Sequence, residues 1–123
     1  KQMAYMKEFL LAEHEKGNYI IVGGDWNQCP PNFNVHKFAK EETPYDQLNI
    51  DFDYLPADWL WVYDPDIPTN RKLAAPFDPE STFTTIIDFY LISPNVQLLE
   101  VKAVDQGFDF SDHQPVTMKV RLK

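Results

Sequence analysis

Residues that handle water, cations and phosphate oxygens recur in three short segments, in a fixed order: Gly24-Asp25-Trp26-Asn27, Ile87-Asp88-Phe89 and Ser111-Asp112-His113-Gln114-Pro115. Asp25 and Asn27 stand two apart, so extended backbone would aim a carboxylate and an amide at one point, where they can hold and polarise a water. Trp26 between them faces the other way, toward a core. Asp88 lies between apolar Ile87 and Phe89, where a carboxylate is costly to bury unless it is paired. His113 is the expected partner. A carboxylate that accepts from one ring nitrogen fixes the imidazole tautomer and favours its charged form, which can then face developing negative charge. These residue types together point to cleavage of a phosphoester.

Each segment also has a plainer reading. Asp-Trp-Asn can simply open a turn after a strand, since Asp and Asn are common turn formers. Asp88 can be an acceptor for backbone amides, and an Asp-His turn can hold a satisfied histidine. What favours chemistry is the order and spacing of all three segments together. His14, His36 and Cys29 sit in no such pattern and read as structural. Tyr45, Tyr54, Trp59 and Trp61 could wall a site for a base or a lipid, although buried core is the plainer reading.

The three segments resemble the motifs of the endonuclease/exonuclease/phosphatase superfamily, the deoxyribonuclease-like metal-dependent phosphoesterases. That group includes pancreatic deoxyribonuclease, abasic-site endonucleases, sphingomyelinases, inositol-polyphosphate phosphatases and deadenylases. Ser111 to Pro115 matches the family's Ser-Asp-His-x-Pro in each fixed position. The resemblance runs from about Tyr19 to the C-terminus and covers the C-terminal half of such a domain. Family members also carry an N-terminal half with an Asn, a metal-binding Glu and usually a His or Tyr.

The resemblance implies roles. Asp25 orients or activates the attacking water, and Asn27 holds the water and the phosphate. Asp88 orients His113, and His113 contacts the scissile phosphate. Asp112 binds magnesium, or manganese in its place, with Asp25 and Asn27 beside it; magnesium usually takes one or two carboxylates plus waters and phosphate oxygens. Pro68-Thr69-Asn70-Arg71 resembles a Pro-Thr-Asn stretch found before the Ile-Asp segment in several branches, which makes Asn70 and Arg71 substrate contacts. Arg71 would be a bidentate phosphate clamp. An Asn in a proline-rich turn is the bland alternative. The implied substrate is a phosphate ester: nucleic acid, phospholipid or inositol phosphate.

The implied fold is α/β, as half of a four-layer α+β sandwich, with one helix layer on a mainly antiparallel sheet. The elements read accordingly. Gln2 to Lys16 has helical spacing, with Met3, Met6, Phe9, Leu10 and Glu13 on one face, and Gly17-Asn18 ends it. Tyr19 to Val22 is a continuous apolar run, expected as a strand buried on both faces. Gly23 and Gly24 then let another backbone or a phosphate come close to Asp25. Residues 28–80 hold most of the ten prolines and read as a long loop-rich insertion facing substrate. Within it, Phe33 to Lys40 suggests a helical turn and Asp58 to Tyr63 a strand. Ser81 to Ser93 reads as one long strand, and Val96 to Val104 and Val116 to Leu122 as two more, joined through a turn at Asp105-Gln106-Gly107.

At 123 residues the chain suits one domain with a real core, here a single partial domain over residues 1–123. Net charge is -8, which disfavours nonspecific polyanion binding; the basic clusters are Lys37 with Lys40, Arg71 with Lys72, and Lys119, Arg121 and Lys123. A single cysteine excludes an internal disulfide. The apolar runs are well short of the ~20 residues that cross a bilayer. No charged-then-apolar leader opens the sequence, so a cytoplasmic location is expected unless a preceding segment carries a signal or anchor. The alternative to an enzyme is a noncatalytic binding or assembly module whose exposed sheet face pairs with a preceding half or with a second copy.

Overall fold

The computed structural model describes residues 1–41 and 46–123. Along them run α1 (Gln2–Glu15), β1 (Ile21–Asp25), β2 (Leu60–Val62), β3 (Asn70–Arg71), β4 (Thr84–Thr85), β5 (Asp88–Ile92), β6 (Val96–Ala103) and β7 (Val116–Leu122). The result is a small α+β protein with one helix and antiparallel sheets. β5, with Phe89, Leu91 and Ile92 buried, is the centre of a three-stranded sheet in the order β1-β5-β2. β3 pairs with β4, and β6 with β7. No helix among the described residues is long and apolar enough to cross a membrane.

Alternation along β5 sorts the molecule into two sides. Phe89 and Leu91 face the helix side: Leu91 packs with Leu10, Leu55 and Trp59, and Phe89 with Cys29, Phe33, Ile50, Ile86 and Ile87. Tyr90 and Ile92 face the β6–β7 hairpin, where Val62, Ile92 and Val96 are joined by Leu98, Val101, Met118 and Val120. Asp88 shares that second side. Trp26 stacks on Phe89 with ring centres 5.4 Å apart and donates its indole N–H to the Phe89 carbonyl at 3.0 Å, so it is a core residue, as its position between Asp25 and Asn27 suggests.

Several expected elements differ. On α1, Met3, Met6 and Leu10 turn inward, but Phe9 is 56% exposed, because a face centred on i, i+3 and i+7 leaves it beyond the edge. The helix ends where predicted, with Gly17 at φ 89° and the Asn18 N–H returning to the Glu13 carbonyl at 3.3 Å. β1 is not buried on both faces. It pairs only with β5 among the described residues, so it is an edge strand and Ile21 remains 46% exposed.

The single strand expected over Ser81 to Ser93 is two, β4 and β5. At the break, the Ile87 carbonyl accepts from the Trp26 N–H at 2.8 Å, and the Thr69 hydroxyl takes the N–H groups of Ile87 and Asp88. These partners replace the ladder there. Phe33 to Lys40 forms successive turns, such as Lys37 N–H to the Asn34 carbonyl at 2.9 Å, and no helix. The 28–80 region is more than a substrate-facing loop, since it supplies β2, β3 and the core residues Phe33, Ile50, Leu55 and Trp59. Of the aromatic wall, Trp59 is buried and Tyr54 and Trp61 pack against the core; Tyr45 lies outside the described residues. The hairpin strands fall where expected, with a bulge between Leu98 and Glu100.

Candidate functional site

Antiparallel pairing sets Asp25 of β1 directly opposite Asp88 of β5. Directly opposed side chains are close neighbours on one face, and like charges there repel. The β6–β7 connection brings His113 to these carboxylates. Its Nδ1 lies 2.8 Å from Asp88 Oδ2, and its Nε2 is 3.9 Å from Asp25 Oδ2 and 3.7 Å from Asp112 Oδ2. One imidazole thus meets three carboxylates, with Asp88 behind it and Asp25 and Asp112 in front.

The loop holding His113 is fixed locally and at a distance. Ser111 Oγ accepts the His113 N–H at 3.1 Å. Asn70 forms a bridge with His113, donates from Nδ2 to the Asp112 carbonyl at 3.1 Å, and approaches His113 Nε2 at 3.4 Å. The Arg71 N–H binds the same Asp112 carbonyl at 3.0 Å. Asn70 therefore reaches the site with its side chain. Arg71 reaches it through its backbone, while its guanidinium Nη1 donates to the Lys72 carbonyl at 3.4 Å.

Electrostatics follow from this enclosure. Burial pushes the Asp88 carboxyl above the usual carboxylate range, opposed by the hydrogen bonds of His113 and Thr69. For His113, burial works against the charged ring, but the Asp88 hydrogen bond and the charges of Asp88, Asp112 and Asp25 outweigh it and hold the imidazole above its ordinary range. The ring is therefore biased toward imidazolium, with its tautomer set by Asp88. Asp25, Asp88 and His113 each offer a ligand atom within 4.8 Å of the others. Asp88 is already engaged by Nδ1, so the carboxylates open to a cation are the partly exposed Asp25 and Asp112.

Asn27 departs from the expected geometry. β1 ends at Asp25, and Asn27 sits at φ 53° with its N–H donated to Asp25 Oδ1 at 2.9 Å. The turn reading of Asp-Trp-Asn is right about the backbone, so strand alternation does not aim Asn27. Both residues nonetheless line a cleft of about 350 Å³ with Gln2, Met3, Met6 and Trp26.

Thr69 and Gln114 were not singled out by sequence reasoning. Both are buried, and both tie the site loops together. The only signal for them was their place inside otherwise recognised segments. Cys29, with its thiol 3.2 Å from the Thr85 hydroxyl, and His14, edge-on to Trp59, are structural. No protein-family model, curated protein or solved structure matches this chain.

Proposed function

We propose that this chain is the C-terminal half of a magnesium-dependent phosphoesterase domain that hydrolyses a phosphodiester or phosphomonoester by in-line attack of water. The observation that carries the reading is the His113 ring oriented by Asp88 on one nitrogen and faced by Asp25 and Asp112 on the other. Magnesium, or manganese, fits the donors in front of the ring, since the Asp25 and Asp112 carboxylates offer oxygen there and a hard dication uses few carboxylates alongside water. Bound there, the ion would supply Lewis-acid stabilisation of phosphate oxygens.

The protein's own groups do the rest. Asp25 hydrogen-bonds the attacking water and aims its oxygen at phosphorus. The water oxygen bonds to phosphorus as the ester P–O bond breaks opposite it; the water's proton passes to the carboxylate or solvent, and the departing oxygen leaves with the bonding pair and takes a proton from solvent. His113, as imidazolium, donates to a phosphate oxygen where charge gathers. Asp88 keeps the ring charged and turned, and Asn27 and Asn70 hold the phosphate. In this reading a preceding half completes a four-layer sandwich and adds a further metal-binding carboxylate. Among the described residues the outer edge of β1 pairs with no other strand, which suits such a neighbour. That same edge is the observation favouring the second reading, an assembly module without catalysis.

The test uses the chain joined to its preceding half and bis-(p-nitrophenyl) phosphate. Asp25→Ala and His113→Ala should each abolish hydrolysis while the circular dichroism stays that of the parent. Hydrolysis retained in both sinks the assignment.

A further inference from the structure

We propose that Thr69 is the positioning residue of the Asp88–His113 pair, joining the strand that carries the carboxylate to the loop that carries the ring. The inference rests on the catalytic reading of that pair and deepens it. Asp88 and His113 belong to different elements, β5 and the β6–β7 connection, and their 2.8 Å contact needs both backbones held to a fraction of an ångström. Thr69 is bonded to each. Its carbonyl accepts the N–H of Gln114, the residue after His113, at 2.8 Å. Its hydroxyl oxygen accepts the N–H groups of Ile87 and Asp88, both at 3.1 Å. Its own N–H donates to Thr85 at 2.9 Å.

These bonds form in near-complete burial, since Thr69 is 1% exposed, so water cannot replace them cheaply. The side chain of Gln114, 4% exposed, reinforces the same seam. Its Nε2 donates to the Pro68 carbonyl at 2.8 Å and its Oε1 accepts the Gln106 N–H at 2.5 Å. Pro68 and Thr69 are thereby stitched to both sides of the Ser111–His113 turn. A valine at 69 would fill the same space but leave the N–H groups of Ile87 and Asp88 without their acceptor, loosening the backbone that carries the Asp88 carboxylate.

The experiment is proton NMR of the whole chain, reading the downfield His113 Nδ1 proton bonded to Asp88 in wild type, Thr69→Ser and Thr69→Val. The resonance is expected in wild type and in Thr69→Ser, and lost or moved upfield in Thr69→Val. A folded Thr69→Val that keeps it at the wild-type position overturns the proposal, as does its loss in Thr69→Ser. A merely structural threonine would lower the melting temperature in the variants and leave the resonance in place. Should Thr69→Val fail to fold, the wild-type chain decides. Its Thr69 hydroxyl proton should exchange slowly and show proximity to the Ile87 and Asp88 amide protons, and a fast-exchanging hydroxyl proton without those contacts contradicts the proposal. None of these readouts needs turnover, so a chain with the expected resonances and no hydrolysis would remove the proposed function and leave the role of Thr69 standing.

Discussion

The residues with the plainest chemistry were also the most legible. Asp88 stood out because a carboxylate amid Ile87, Phe89 and Leu91 needs a partner, and the pairing with His113 is present at 2.8 Å. Asn27, Thr69 and Gln114 were harder, since their contributions depend on a left-handed backbone at φ 53° and on backbone bonds between segments far apart in sequence. If His113 acts as imidazolium, Asp88→Asn should lower kcat of the full domain by about 10²–10⁴-fold, the usual span for a positioned acid or base, with KM little changed. Steady-state kinetics check this. The raised His113 pKa carries a sign for stability as well. The folded state binds that proton more tightly than the unfolded chain, so its stabilisation is fully present below the ordinary imidazole range and is lost as pH rises through the raised folded value. Melting temperatures measured in EDTA from pH 5 to 9 should therefore fall across that window, and His113→Gln should flatten this component.

At the scale of elements, periodicity gave the helix and the β6–β7 hairpin because each has apolar residues at the matching spacing, Met3, Met6 and Leu10 on the helix, and a turn signal at its end. It missed the break before β5, where the Thr69 hydroxyl and the Trp26 N–H take over bonds a continuous strand would use. It also gave β1 too much burial, because a run of β-branched residues reads alike in a central strand and an edge strand. Gly23 shows what β1 requires. A methyl there would sit 2.7 Å from two ring atoms of Tyr90, and that ring is pinned by its hydroxyl donating to the Val116 carbonyl at 2.8 Å. Gly23→Ala should cost about 1–3 kcal/mol by overpacking, read as a lower urea midpoint, and adding Tyr90→Ala should recover part of the loss. On the opposite side, Leu10→Ala should cost about 2–5 kcal/mol, because Leu10 is the buried contact through which α1 docks on Leu91.

For the whole molecule, a net charge of -8 and a site fronted by Asp25 and Asp112 suit a cation better than a polyanion. Magnesium binding to the folded state should raise the melting temperature, by about 2.7 kcal/mol of added stability at a hundredfold excess over Kd, and Asp112→Asn should abolish most of that rise. Composition bounded the chain to an ordinary globular unit, but which surfaces meet a neighbour was not legible, since the edge of β1 left without a strand partner among the described residues emerges only once the sheet order is known. The most direct measurement is p-nitrophenolate release from bis-(p-nitrophenyl) phosphate and p-nitrophenyl phosphate, with and without magnesium, by this chain and by the chain extended at its N-terminus. Magnesium-dependent release by the extended chain is the predicted result, with the faster ester telling a diesterase from a monoesterase. No release from either ester, or release indifferent to magnesium, by a folded protein would contradict the account.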